Sequence, residues 1–255
     1  MDIVLKIKKR IKHFLKKENS SRIEKKSDLS KSDYSEFEIK VIDSVREYTM
    51  TSPERIVSLI RSLEYMNQNR LEGDIVECGV WKGGSVIACI LTLKRLKSLE
   101  KKIWLFDTFE GMNQPTEFDL DLKGNIAAEK MKTEDVESSW LWAKAEIEIV
   151  KNNISQFEYP QDKVTFVKGP VEETLFSTEL PEKIALLRLD TDWYESTKVE
   201  LEVLYERLVP GGVLIIDDYG HWNGCKKAVD EFFDKMTFKP YIHRIDYTGR
   251  IIIKP

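Results

Sequence analysis

The stretch Ile75–Ser85 reads IVECGVWKGGS and passes from a short apolar run into a glycine-rich loop, after which a segment of helical period follows. This order is typical of a buried strand that turns sharply into a helix. Gly79, Gly83 and Gly84 permit a tight turn and let a ligand approach the exposed amides at the helix start. Taken alone, the loop is weak evidence for a nucleotide-like cofactor, and a plain strand-to-helix turn is the alternative.

From about Tyr48 onward the same alternation of apolar runs and helical segments continues, which predicts an α/β domain with a largely parallel sheet. The predicted strands are Ile75–Cys78, Ile103–Phe106, Val164–Val167, Ile184–Leu189 and Val213–Ile216. A helix is predicted over Ser196–Leu208, ended by Pro210-Gly211-Gly212. Near the C-terminus, Tyr241–Ile245 and Arg250–Ile253 predict a closing antiparallel hairpin.

Acidic residues stand at the C-terminal ends of four predicted strands: Glu77, Asp107, Asp190 and Asp217. Ligands of open parallel sheets bind just beyond these strand ends, so the side chains are expected to converge. The glycine spacing departs from the dinucleotide pattern and is closer to the E-x-G-x-x-x-G arrangement of methyltransferases. Asp107 is then placed to accept hydrogen bonds from two ribose hydroxyls, although capping the following turn is an alternative role.

The two later strand ends carry more than one carboxylate, namely Asp190 with Asp192 and Asp217 with Asp218. Like charges this close raise each other's pKa and destabilise the fold unless a cation neutralises them. An oxygen-only set of ligands suits Mg²⁺, and a divalent ion would activate a hydroxyl group as a nucleophile. The alternative is that the Asp217-Asp218 pair only caps a helix or turn.

Composition predicts one large domain with a tail, because 255 residues with 42% hydrophobic content can bury a substantial core. We predict a tail and linker over residues 1–35 and a catalytic domain over 36–255. The three cysteines have no disulfide or zinc spacing, and neither a cleavable signal nor a long apolar span is recognised. These features favour a cytoplasmic protein.

Charge is distributed unevenly, since residues 1–31 carry a net charge of +7 and the rest of the chain carries −11. The acidic domain argues against nucleic acid as a partner. Residues 1–17 have the pattern of a basic amphipathic helix, which is either a solvated helix or a weak contact with an anionic membrane surface.

Five stretches together resemble the macrocin-type sugar O-methyltransferases, which methylate sugar hydroxyls on natural products. The similar stretches are Tyr48–Arg55, Gly73–Trp81, Leu105–Met112, Asp190–Thr197 and Ile215–Gly220. The resemblance implies a Rossmann-like class I methyltransferase whose mostly parallel seven-stranded sheet has an antiparallel C-terminal hairpin and helices on both faces. It also implies S-adenosylmethionine as cofactor, a sugar acceptor, a homo-oligomer, and Mg²⁺ bound by Asp190, Asp217 and Asp218.

The cofactor contacts predicted from the loop and the resemblance are Met50, Thr51, Glu77, Gly79, Gly83, Ser85, Asp107, Gly169 and Asp190. Catechol-type methyltransferases are similar, but they place a basic lysine three positions after the first aspartate, where this chain has Trp193. Our hypothesis is therefore that Asp190, or failing that Asp192 or His221, takes the proton. A simple hydrogen-bonding or packing role is the alternative for His221.

Between the second and third predicted strands, the long charged segment 113–153 is predicted to form a lid over the crevice. Trp140, Trp142, Trp193 and Trp222 either stack on a sugar face or fill the core. A natural-product glycoside, a polysaccharide and a nucleotide-linked sugar are all compatible acceptors, and a non-sugar hydroxyl is the alternative substrate. The glycine spacing disfavours a dehydrogenase, and the aspartate cluster disfavours a catalytically silent cofactor-binding protein.

Overall fold

The computed structural model describes residues 33–136 and 139–255. Its α-helices are α1 Glu36–Val45, α2 Pro53–Gln68, α3 Gly84–Leu96, α4 Ala127–Thr133, α5 Ile147–Ser155, α6 Val171–Ser177, α7 Tyr194–Leu204 and α8 Asn223–Asp234. Its strands are β1 Asp74–Cys78, β2 Ile103–Asp107, β3 Val164–Lys168, β4 Ile184–Leu189, β5 Leu208–Ile216, β6 His243–Arg244 and β7 Arg250–Ile253. The predicted amphipathic segment 1–17 lies outside the described residues.

The strands form a seven-stranded sheet in the order β3-β2-β1-β4-β5-β7-β6. Strands β1 to β5 run parallel, whereas β7 is antiparallel to both β5 and β6. The strand order reverses between β1 and β4, and this reversal opens a crevice at the carboxyl ends of the strands. The predicted fold class is confirmed.

The central strands are buried along their length, as expected for a parallel sheet covered by helices on both faces. Every residue of β4 is buried, and so are the last four residues of β1. Among the apolar side chains of β4 stands one charged residue, Arg188, whose side chain is only 3% exposed. Arg188 lies directly beneath the crevice.

The predicted helix over residues 196–208 was wrong at its C-terminal end. The α-helix α7 ends at Leu204, a 3₁₀ turn covers Tyr205–Arg207, and β5 already begins at Leu208. The Pro-Gly-Gly sequence therefore lies inside a strand, where Gly211 adopts φ +79° and its N–H donates to the carbonyl of Lys254 at 2.8 Å. Pairing with the C-terminal segment stabilises this irregular strand start, and local sequence does not reveal that pairing.

Residues Ser44–Pro255 form one compact unit, and residues 33–43 fall in another. Within the latter, Ser35 and Glu38 form a reciprocal capping box at the start of α1. The domain boundary predicted after residue 35 stays a prediction. Among helices of the described ranges, none has the length and apolar character needed to cross a membrane.

Candidate active site

A cavity of about 390 Å³ lies beyond the carboxyl ends of β1, β2, β4 and β5. The predicted site residues that line it are Met50, Thr51, Gly79, Ser85, Asp107, Asp190, Asp192, Asp217, Asp218 and His221. The convergence expected from the strand ends is thus present in the structure. Glu77, Gly83 and Gly169 lie around this cavity but do not line it.

The glycine-rich loop contributes several residues to the cavity wall, among them Gly79 and Trp81. Gly79 has φ +83°, and a Cβ atom built on it would lie 2.0 Å from the carbonyl oxygen of Asp190. Any side chain at this position would collide with the end of the neighbouring strand. Gly83, with φ +87°, immediately precedes α3 and packs against Ile154. The loop therefore packs its backbone closely against the end of β4.

Asp107 holds the loop in place through its carboxylate. Its Oδ2 accepts from the N–H groups of Val80 at 2.6 Å and Trp81 at 3.1 Å, and its Oδ1 accepts from that of Phe109 at 2.6 Å. Burial raises the pKa of Asp107, while these backbone donors act in the opposite direction. The carboxylate borders the cavity and also caps its own turn, whereas its role toward ribose hydroxyls stays a prediction.

Glu77 lies beneath the loop rather than in the cavity. Its Oε1 accepts from Nη1 of Arg188 at 2.6 Å and from the hydroxyl of Ser85 in the first turn of α3. Burial raises the pKa of Glu77 to about 7, although the guanidinium of Arg188 lowers it. Gly169, whose N–H donates to the Asp107 carbonyl at 3.0 Å, lines a smaller adjacent cavity of about 50 Å³.

The predicted metal ligands do form a cluster. Asp190, Asp217 and Asp218 each offer a carboxylate oxygen, and these oxygens all lie within 4.8 Å of one another. Asp217 and Asp218 are buried, and among the described residues Oδ2 of Asp218 has no hydrogen-bond partner. Burial, together with the negative charges of Asp192 and Asp190, raises the pKa of Asp218.

Two arginines that sequence reasoning missed contact this cluster. Arg188 forms an ion pair with Oδ2 of Asp190 at 2.8 Å and donates to Oδ1 of Asp217 at 2.7 Å. Arg55 of α2 contacts Oδ2 of Asp217 from the cavity side. The signal for Arg188 was present in the sequence, because a lone arginine in the otherwise apolar strand IALLRL cannot be buried without partners.

The charges around the cluster and its unpaired oxygen decide whether it can hold a divalent cation. The guanidinium groups of Arg188 and Arg55 contact Glu77, Asp190 and Asp217, and Asp192 and Asp218 add two further acids. Burial, with the charge of Asp190, raises the pKa of Asp192 to about 7. The surplus of acids and the unpaired Asp218 oxygen fit a hard divalent cation.

The other wall of the cavity comes from the C-terminal hairpin and the start of α8. His221 and Tyr247 both line the cavity, with Nδ1 and Oη 3.4 Å apart, and burial lowers the pKa of His221. Thr248 fixes the hairpin turn by donating its hydroxyl to the Asp217 carbonyl at 2.7 Å. For this segment the sequence predicted only a hairpin and no contribution to the site.

The tryptophans differ in their positions. Trp193 is buried and donates Nε1–H to the Asn113 carbonyl at 3.0 Å, so it belongs to the core. Trp222 is buried edge-on against Trp193 but also borders the cavity, whereas Trp142 is half-buried in the segment predicted as a lid. The side chain of Trp140 lies outside the described part of the structure. The lid role of residues 113–153 stays a prediction.

Glu200 of α7 is a buried carboxyl group behind the site. One oxygen accepts from the hydroxyl of Thr191 at 3.1 Å, and the other has no partner among the described residues. Burial is the main cause that raises the pKa of Glu200 well above its usual range, and the nearby charges of Glu172 and Asp190 add to it.

We expect Glu200→Gln to be more stable than wild type at alkaline pH. The folded pKa is raised above the unfolded one, so protonation of Glu200 stabilises the native state most at low pH, and this contribution is lost as pH rises. Relative to the variant, wild type should lose up to about 1.4 kcal/mol per pH unit between the unfolded and folded pKa values. Urea unfolding at pH 6 and pH 8 measures this, and an unchanged difference would contradict it.

A sheet of this order, with a glycine-rich loop after β1 and acids after β2, β4 and β5, defines a Rossmann-like methyltransferase. The chain belongs to the macrocin-O-methyltransferase (TylF) family, whose match spans residues 6–254. It is accordingly an O-methyltransferase.

Similar proteins support this assignment. One is the 8-demethyl-8-(2,3-dimethoxy-α-L-rhamnosyl)-tetracenomycin-C 4'-O-methyltransferase of Streptomyces olivaceus, 32% identical over 79% of this chain and 74% of that protein. Another is the mycinamicin III 3''-O-methyltransferase of Micromonospora griseorubida, 31% identical over 79% of this chain and 76% of that protein. The solved structure of the O-methyltransferase NovP superposes with a TM-score of 0.70 and 29% identity, covering 81% of this chain and 82% of that one.

Proposed function

We propose that the protein transfers the methyl group of S-adenosylmethionine to a hydroxyl group of a sugar, with the help of a bound divalent cation. The observation that carries this proposal is that one cavity joins the glycine-rich loop and Asp107 to the oxygen cluster of Asp190, Asp217 and Asp218. Sugar as the acceptor class is supported by the rhamnosyl group in the name of the Streptomyces olivaceus relative.

On the donor side, the start of α3 would bind the polar end of the cofactor, because N–H groups at a helix start attract a carboxylate. Met50, Thr51, Gly79 and Ser85 surround this part of the cavity. Asp107 accepts from the ribose hydroxyls with the lone pairs that its backbone donors leave available. Glu77 and Gly83 stabilise the loop but do not line the cavity.

On the acceptor side, Asp190, Asp217 and Asp218 would hold Mg²⁺. A bound divalent cation lowers the pKa of a hydroxyl group and fixes its direction toward the methyl group. Asp192 is the candidate base that the contacts support best, since it lines the cavity beside the cluster whereas Asp190 is bound to Arg188. Its backbone has φ +67°, a conformation uncommon for aspartate that aims the turn after β4. Asp190 and His221 remain the other candidates.

The experiment titrates S-adenosylhomocysteine into wild type and Asp107→Ala by calorimetry, and then screens acceptors by mass spectrometry. We expect saturable binding by wild type, and at least about tenfold weaker binding by Asp107→Ala, because a charge-assisted contact to the cofactor and the hold on Val80 and Trp81 are both lost. Asp162→Ala, an exposed acid before β3, serves as the control with unchanged affinity.

The acceptor screen contains 4-nitrophenyl α-L-rhamnopyranoside, a thymidine diphosphate rhamnose and catechol. Methylation of either sugar compound supports the proposal, whereas methylation of catechol alone would favour a non-sugar hydroxyl. If wild type bound no S-adenosylhomocysteine, the proposal would be wrong.

Residence in the cytoplasm, a homo-oligomer and contact of residues 1–17 with anionic membranes are further parts of the proposal. The first two rest on composition and family resemblance, and the third rests on the basic amphipathic pattern. Light scattering of the purified protein and co-sedimentation with anionic vesicles measure the last two properties.

A further inference from the structure

Arg188 makes polar contacts with residues from four separate parts of the chain. Nη1 lies 2.6 Å from Oε1 of Glu77 and 2.8 Å from Oδ2 of Asp190. Nη2 lies 2.7 Å from Oδ1 of Asp217 and 2.9 Å from Oγ1 of Thr51. With its side chain only 3% exposed, the guanidinium is fixed between β1 and β5.

These contacts lead in two directions. Through Glu77, Arg188 is linked to the hydroxyl of Ser85 and hence to the first turn of α3, where the cofactor loop ends. Through Asp190 and Asp217 it is linked to the oxygen cluster. The donor half and the cation half of the cavity therefore share one buried side chain.

Stability alone does not account for an arginine at this position. Buried ion pairs can often be replaced by apolar residues of similar volume without loss of stability, and the rest of β4 is apolar. A positive charge beside a cation site also repels the cation. The rigid fork of a guanidinium, however, sets the distances between several carboxylates at once, which the flexible ammonium of a lysine cannot do.

We infer that Arg188 is a positioning residue that fixes the cofactor loop and the cation carboxylates in one arrangement, so that each site depends on it. The inference rests on the proposed function. A positioning role for Arg188 predicts a different result from a role as a plain counter-charge to the carboxylates. A plain counter-charge, when removed, would leave the cation better bound, whereas loss of a positioning residue weakens both sites.

The experiment measures S-adenosylhomocysteine binding by calorimetry in EDTA and Mn²⁺ binding by electron paramagnetic resonance. For Arg188→Lys and Arg188→Met, we expect the dissociation constants of both ligands to rise by at least about tenfold, the usual effect of removing a residue that orients metal ligands. Ser85→Ala removes only the link between Glu77 and α3, and it should weaken the binding of S-adenosylhomocysteine but not that of Mn²⁺. Arg207→Lys is the matched control. The Arg207 guanidinium donates to the Pro181 carbonyl and does not line the cavity, so the dissociation constants of both ligands should be unchanged.

Thermal unfolding and the binding stoichiometry separate this role from a merely structural one. A structural defect would lower the fraction of active protein and leave the dissociation constants of that fraction unchanged, which would overturn the inference. Tighter Mn²⁺ binding by Arg188→Met, or constants within about twofold of wild type for both ligands, would overturn it as well. If Arg188→Met does not fold, Arg188→Lys decides alone. Failure of wild type to bind either ligand is a failure of the proposed function, and the inference falls with it.

Discussion

Asp218→Asn is expected to lose Mn²⁺ binding and to slow methyl transfer by at least about a hundredfold, since a catalytic cation contributes several kcal/mol to transition-state stabilisation. The variant keeps the shape of the side chain but removes the charge at the buried oxygen that has no partner in the described chain. Electron paramagnetic resonance follows Mn²⁺, and single-turnover assays with the acceptor from the screen follow transfer. S-adenosylhomocysteine affinity should stay near that of wild type.

Asp192→Asn is the matched comparison, because it removes a neighbouring carboxylate that lines the same cavity but lies outside the oxygen cluster. As a base, Asp192 should contribute about 10² to 10⁴ in rate while both binding constants persist. Normal single-turnover rates in Asp192→Asn would assign the proton to Asp190 or His221 instead. Normal Mn²⁺ affinity in Asp218→Asn would remove Asp218 from the cation site.

Gly79→Ala should be among the most destabilising single changes in the chain. The added Cβ would lie 2.0 Å from the carbonyl oxygen of Asp190, so backbone must move on one side of the crevice. We expect a loss of roughly 2–5 kcal/mol in the free energy of unfolding, because overpacking a core costs about 1–3 kcal/mol and the left-handed backbone adds roughly 1–2 kcal/mol. Urea unfolding measures it, and calorimetry should show loss of cofactor binding.

Gly124→Ala provides the control for backbone conformation. Its φ of +80° nearly equals the +83° of Gly79, but a Cβ there would meet nothing within 4 Å. The cost should therefore be only the left-handed penalty, roughly 1–2 kcal/mol. Equal losses for the two variants would show that the close approach of β1 to the Asp190 carbonyl does not determine stability.

Local patterns were sufficient to predict much of the site. The alternation of apolar runs and helical segments predicted the five parallel strands, and the acids at their ends indicated the position of the cavity. This works because a parallel sheet places all its carboxyl ends at one edge, so position within a strand is enough to predict convergence. The C-terminal end of α7 was predicted wrongly, since strand pairing rather than propensity decided where the helix stops.

The fold class, the glycine-rich loop and the identity of the acidic residues in the cavity all follow from local sequence patterns. The partners that neutralise these acids follow only from tertiary contacts. Glu77 and Arg188 are 111 residues apart and face each other through the register of β1 and β4, while Arg55 reaches Asp217 from a helix outside the sheet. Hydrophobic period and turn residues report how a segment folds locally, but long-range charge pairing depends on strand register, which a single sequence does not specify.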